Sequence, residues 1–230
     1  MITYAAGTRT GLHGENQDRL AADPDNGTFI VADGIGGLAD AAVTARTVVE
    51  QLPRRVRERV HALGDPDVAR AVAEAAAQLN EQIRDTARNG PGTTGATTAL
   101  LLVRGGRALA VNLGDSRIYL ARAGRLALLT EDHVREGRLT RFVGMPGEVL
   151  PGVSVHELSG GDRLLLCTDG LTRGVGEDEL RTVLNGAGGI EGACELLIGS
   201  AAASGATDDV TVIAVQYGVR GPGDGAAQQR

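Results

Sequence analysis

Five aspartates stand out by where they fall in the chain. Asp18 closes Glu15-Asn-Gln-Asp18, and Asp33 follows the β-rich run Thr28–Ala32 in Val31-Ala-Asp-Gly-Ile-Gly-Gly37. Asp115 lies in Asn112-Leu-Gly-Asp-Ser-Arg117, and Asp169 ends the run Leu164-Leu-Leu-Cys-Thr-Asp-Gly170. Asp208 precedes the last apolar run, in Ala206-Thr-Asp-Asp-Val-Thr211. Taken singly, each reads as a turn or cap residue, because Asp bonds its own backbone and a neighbouring Gly tolerates positive φ. Taken together, apolar runs that end repeatedly in Asp can bring several carboxylates to one sheet edge. Such a cluster repels itself and stays ionised only where cations offset it. Oxygen-only ligands favour hard ions, Mg²⁺ or Mn²⁺, over zinc. At this level both readings stay open.

The elements that must position these residues follow from periodicity and turn signals. A helical pattern runs from about Asp40 to Leu63, with a break or kink expected near Leu52 because Pro53 lacks a backbone donor. Asp65-Pro66 opens a second helix, carried by Val68, Val72, Leu79 and Ile83 to about Arg88. Beyond Asn89-Gly-Pro-Gly92 come four short apolar runs, Thr97–Val103, Ala108–Leu113, Arg117–Ala121 and Leu126–Thr130. Their links are so short that an antiparallel meander is expected. Val153–Leu158, Arg163–Thr168 and Val210–Tyr217 read as further strands, and Glu177–Leu184 and Ile190–Ala203 as helices. The result is an α+β domain over residues 1–217 with helices layered on sheet, followed by a frayed tail over 218–230.

Composition narrows the function. Of 230 residues, two are Phe, three Tyr and none Trp, so the core must be aliphatic. The net charge is −6, every basic residue is Arg, and no basic tract occurs, which disfavours nucleic-acid binding. Two cysteines make neither a disulfide framework nor a CxxC zinc pair. No run approaches the ~20 apolar residues of a membrane span, and none near Met1 suggests a signal peptide. A soluble, cytoplasmic protein is expected. Arg173 stands at Cys-x5-Arg spacing from Cys167, but that thiol lies in an apolar run and Gly170 intervenes without a phosphate cradle, so a cysteine phosphatase is disfavoured. A P-loop is excluded in a chain without Lys.

Seven segments, in order, give the chain a family resemblance. They are Asn16-Gln-Asp18, Phe29-Ile-Val-Ala-Asp-Gly-Ile-Gly-Gly37, Gly92-Thr-Thr-Gly-Ala-Thr97, Gly114-Asp-Ser-Arg-Ile-Tyr119, Leu129-Thr-Glu-Asp-His133, Gly161–Leu171 and Thr207-Asp-Asp-Val-Thr-Val212. The sequence resembles the metal-dependent protein phosphatases of type 2C, bacterial serine/threonine branch, over about residues 10–217. The resemblance implies a four-layer α/β/β/α sandwich of two antiparallel sheets flanked by helices. It implies hydrolysis of phosphoserine and phosphothreonine by a hydroxide held between two Mn²⁺ or Mg²⁺ ions. By carry-over Asp33 bridges both ions, the Gly34 carbonyl binds one, Asp169 and Asp208 hold the other, and Asp18 acts mainly through water. Asp115 with Asp169 would hold a labile third ion. Phosphorylated proteins are the implied substrates, a cognate serine/threonine kinase an implied partner, and a monomer the implied state.

Three departures set this chain apart from the pattern. His13 stands where the family usually has the phosphate-clamping Arg, and imidazole cannot replace a bidentate guanidinium. His13 is therefore assigned to phosphate binding or to protonating the leaving alkoxide, with Arg9 an alternative phosphate contact. Only Val134–Val143 lie between His133 and Gly144, which implies a shortened flap. Asp209 replaces the usual Asn after Asp208, adding negative charge. The competing function is a catalytically weak, phosphatase-like binding module, favoured by loss of the Arg and opposed by retention of Asp33, Asp169 and Asp208. A calcium-binding structural domain is disfavoured, since no EF-hand spacing occurs.

Overall fold

Residues alternate in direction along a strand, and in β3 (Thr28–Gly34) both directions are apolar. Phe29 and Val31 face one way, Ile30 and Ala32 the other, and all four are fully buried. A strand of this kind must be covered on both faces. The computed structural model, which describes residues 1–12, 14–35, 40–88 and 92–218, shows how.

One antiparallel sheet runs in the order β1 (Ile2–Arg9), β12 (Val210–Tyr217), β11 (Arg163–Cys167), β6 (Arg117–Arg122) and β7 (Arg125–Leu128). The other runs β10 (Gly152–Glu157), β5 (Arg107–Leu113), β4 (Ala96–Arg104), β3 and β2 (Asp18–Asp23). Phe29, Val31, Leu101, Ile118, Leu164 and Ile213 fill the space between the sheets. Helices α1 (Ala41–Arg59) and α2 (Val68–Arg88) cover the outer face of the β3 sheet, where Val48, Leu52 and Leu79 meet Ile30, Leu100 and Leu102. On the other side α3 (Asp169–Gly174), α4 (Glu177–Asn185) and α5 (Ile190–Ala203) cover the β11 sheet through Leu171, Leu180 and Leu197. The four layers are those the sequence implied.

One expectation is narrowed and two are corrected. Helix α1 runs through Pro53 without a break, one of the two outcomes expected there. The ring costs about 3 kcal/mol in a helix interior. Val48, Val49, Leu52 and Val56 are buried on both sides of it, and at about 1.5–3 kcal/mol each they outweigh the cost. Asp169 opens helix α3 and does not end a strand, since β11 stops at Cys167. The expected four-strand meander does not form. β4 pairs with β5, and β6 with β7, but the two hairpins lie in different sheets. Strands β1 and β2 and the small hairpin of β8 (Val134–Arg135) and β9 (Arg138–Leu139) have no counterpart in the sequence reading. Of the tail, only Gly218 falls within the described residues.

The crossing from β5 to β6 is what splits the meander, and Asp115 sits on it. Gly114 adopts φ 100, and a Cβ there would lie 2.6 Å from the Thr97 side chain. The Ser116 and Thr97 hydroxyls are 2.8 Å apart, and His133 donates its N–H to the Gly114 carbonyl at 2.9 Å. Gly114→Ala combines positive-φ strain with that clash. It is expected to cost about 2–4 kcal/mol in urea unfolding, and a cost below about 0.5 kcal/mol would show that the crossing adapts freely.

Candidate functional site

The five aspartates come from separate elements that end at the same side of the two sheets. Asp18 and Asp33 are directly opposed across β2 and β3. Asp115 lies at the sheet crossing, Asp169 at the start of α3 and Asp208 just before β12. A cavity of about 870 Å³ opens there, lined by Asp33, Gly34, Asp115, Asp169 and Asp208. Asp18 lies behind that lining and is only 3% exposed. Gly34 fits the close-packing reading, because a Cβ there would stand 2.5 Å from the Ala41 backbone. His13, Gly36 and Gly37 lie outside the described residues.

Polar lashings set the spacing. The Thr168 hydroxyl donates to Asp18 Oδ2 at 2.8 Å and accepts the Thr211 N–H at 3.0 Å, joining the two sheets under the site. Asp209, read from sequence only as extra negative charge, accepts the Gly11 N–H at 2.8 Å and the Gln17 N–H at 2.6 Å. Leu12 donates to the Thr207 carbonyl at 2.8 Å. The segment on either side of His13 is thus tied to the residues before β12. Below the cavity Arg117 holds Asp132 with two parallel bonds of 2.9 and 2.6 Å, so the Leu129–His133 motif braces the Asp115 crossing. Cys167 is fully buried, its thiol pushed up to about 12 by burial, which removes it as a nucleophile.

The electrostatics are those of crowded acids. Burial, then the charges of Asp18, Asp169, Asp208 and Asp115, push the Asp33 carboxyl well above its usual range. Burial lifts Asp169 to about 7, with Asp115 adding to the rise and Arg173 opposing it. Burial lifts Asp18 to about 6 against the hydrogen bonds of Thr211 and Thr168. Asp18 Oδ1 and Asp169 Oδ1 are buried with no hydrogen-bond partner. Among the described residues, no three acid, thiol or imidazole groups close tightly enough to chelate an ion as they stand. A guanidinium intervenes: Arg173 reaches Asp169 Oδ2 at 2.5 Å and Asp208 Oδ2 at 2.8 Å. The sequence reading passed over Arg173 as a partner, although its i,i+4 spacing from Asp169 put both on one helix face. Orphaned carboxylate oxygens and an oxygen-only donor set fit a hard divalent cation.

Residues 9–187 match the family model described as Protein phosphatase 2C. The chain belongs to that family. The serine/threonine phosphatase stp of Listeria welshimeri is 28% identical over 230 residues, spanning 89% of this chain and 90% of that one. The serine/threonine protein phosphatase PstP of Mycobacterium tuberculosis is 34% identical over 236 residues, spanning 93% of this chain and 44% of PstP. A crystal structure of the catalytic domain of PstP in complex with two manganese ions superposes with a TM-score of 0.75 at 30% identity, over 94% of this chain and 97% of that one. The 2C-family chain described here is accordingly an enzyme, a serine/threonine phosphatase. Among its described residues no helix is long and apolar enough to cross a membrane.

The raised carboxyls set a pH dependence for the metal-free 2C phosphatase. Each holds its proton more tightly folded than unfolded, so stability falls as pH rises from the unfolded value towards the folded one. For Asp18 the window runs from 3.8 to about 6, worth about 2–3 kcal/mol. Asp18→Asn keeps the shape and removes the charge. In urea unfolding with EDTA it should lose less stability than wild type between pH 4 and 7, and equal losses would show that Asp18 titrates normally.

Proposed function

We propose that this 2C phosphatase is metal-dependent and hydrolyses phosphoserine and phosphothreonine in protein substrates at the acidic end of its cavity. The observation that carries the reading is the pair of buried, partnerless carboxylate oxygens on Asp18 and Asp169, beside the cavity-lining Asp33 and Asp208. Asp33, the Gly34 carbonyl, Asp169 and Asp208 would hold two Mn²⁺ or Mg²⁺ ions, with Asp18 behind them and Asp115 with Asp169 available to a third. Such ions, when bound, lower the pKa of water and neutralise charge on phosphoryl oxygens. The manganese complex of PstP supports the same reading.

The chain's own residues then orient and protonate. Thr168 fixes the Asp18 carboxylate, and Asp209 ties down the segment flanking His13. His13 would contact the phosphoryl group or give a proton to the leaving alkoxide. Arg138, on the β8–β9 hairpin, lines the cavity and supplies a positive charge that a phosphoryl dianion can pair with. A cytoplasmic enzyme acting opposite a serine/threonine kinase is the setting that this chemistry suits.

Two tests follow. Hydrolysis of p-nitrophenyl phosphate and of phosphopeptides should require Mn²⁺ or Mg²⁺ and stop in EDTA. Asp33→Asn should lower the metal-supported rate on the order of 10³-fold. A folded wild-type protein that binds phosphopeptides without turnover would instead establish the binding module. His13→Ala should lower kcat/KM and flatten the acidic limb of its pH profile. An unchanged profile would remove His13 from the reaction.

A further inference from the structure

Arg173 lines the cavity from α3 with a side chain 63% exposed, yet both of its partners are acids of the site. An ordinary surface i,i+4 pair stabilises little. This one differs because the Asp169 side chain is only 12% exposed and Asp208 31%. One guanidinium also spans two carboxylates from different elements, the start of α3 and the loop before β12. Each bond uses an outward oxygen. Asp169 Oδ1 is left buried and partnerless, while Asp208 Oδ1 accepts the Asp209 N–H at 3.0 Å. The positive charge that the acids need is therefore supplied from within the chain.

We propose that Arg173 is an internal counter-cation that competes with the divalent ions for Asp169 and Asp208, so that metal loading is an exchange and Arg173 sets the metal concentration the phosphatase requires. The inference rests on the metal-dependent reading above. Two consequences are linked by one thermodynamic cycle. A counter-cation stabilises the metal-free fold, where like charges are otherwise unopposed. It contributes nothing comparable once ions neutralise the same carboxylates. Whatever stability Arg173 gives the metal-free form must therefore be subtracted from metal affinity.

The experiment is titration calorimetry of Mn²⁺ into metal-free wild type and Arg173→Gln, with thermal melts of both in EDTA and in saturating Mn²⁺. Expected are Mn²⁺ binding about tenfold tighter in the variant, a lower melting temperature in EDTA, and matching melting temperatures in Mn²⁺. Equal or weaker Mn²⁺ binding by Arg173→Gln would overturn the counter-cation while leaving the metal site intact. Absence of Mn²⁺ binding by either protein would overturn the metal-dependent reading and this inference with it. If Arg173→Gln does not survive purification without metal, Arg173→Lys replaces the two-pronged contact by a single ammonium. It should bind Mn²⁺ detectably tighter, and an unchanged affinity would again overturn the proposal.

Discussion

Mutual repulsion among crowded carboxylates is the constraint around which the rest of the molecule is arranged. After burial, the charges of Asp18, Asp169, Asp208 and Asp115 raise the proton affinity of Asp33, and those of Asp115, Asp208 and Asp18 raise that of Asp169. Left in water they would move apart. They stay because none is free to move: two are cross-strand partners, one sits on a sheet crossing, one opens a helix and one precedes a central strand. The restoring force is the three-layer aliphatic core, in which side chains such as Leu100, Leu164 and Leu165 are fully buried at about 1.5–3 kcal/mol each. A site of this kind costs stability and fits a role that needs concentrated negative charge.

The polar contacts around the acids divide the work of holding that charge. Thr168 donates to Asp18 and accepts from Thr211, so relative sliding of the two sheets would break a buried bond at the site. Asp209 spends its charge on backbone N–H groups of Gly11 and Gln17 and acts as a fastener, although it also adds to the field at Asp18. An Asn has one acceptor oxygen and could not hold both donors with the same side chain in the same way. The substitution read in sequence as added negative charge is a local clamp in three dimensions.

The legible parts of the fold were those written in local pattern. Val210–Tyr217 and Ile190–Ala203 match their elements end to end, and the long helices and inter-sheet strands fall within a few residues. Ala- and Gly-rich β1 carries little period-two contrast and takes its strand form from pairing with β12. The false meander came from treating Gly114-Asp115 as a hairpin turn; whether a short link returns to its own sheet or crosses to the next depends on what packs beneath it. Here that is Thr97 and His133, residues distant in sequence, with the neighbouring Ser116 bonded to Thr97. The same limit applies at the site. Aspartates placed after apolar runs could be found by position, whereas the Asp209 clamp and the Arg173 bridge depend on tertiary approach.

The short hairpin over Val134–Leu139 shows how far a small element can shape the cavity. Its strands are two residues each, held by the Val134–Leu139 and Arg135–Arg138 pairings, yet Val134, Gly137, Arg138 and Leu139 all line the cavity. Val143 then bridges to Ala96 with bonds of 3.0 and 2.9 Å, fixing the segment's far end against the β3 sheet. His133 anchors the near end, with its N–H on the Gly114 carbonyl and Gly114 donating to its Nδ1 at 3.2 Å. Burial and Arg141 keep that imidazole's proton affinity below the usual range, consistent with a neutral acceptor. The hairpin side of the cavity is therefore anchored to the same Gly114 crossing that carries Asp115, so one backbone feature ties it to the acidic residues. A longer insertion between His133 and Val143 would leave both anchors in place and change only the lining of the cavity.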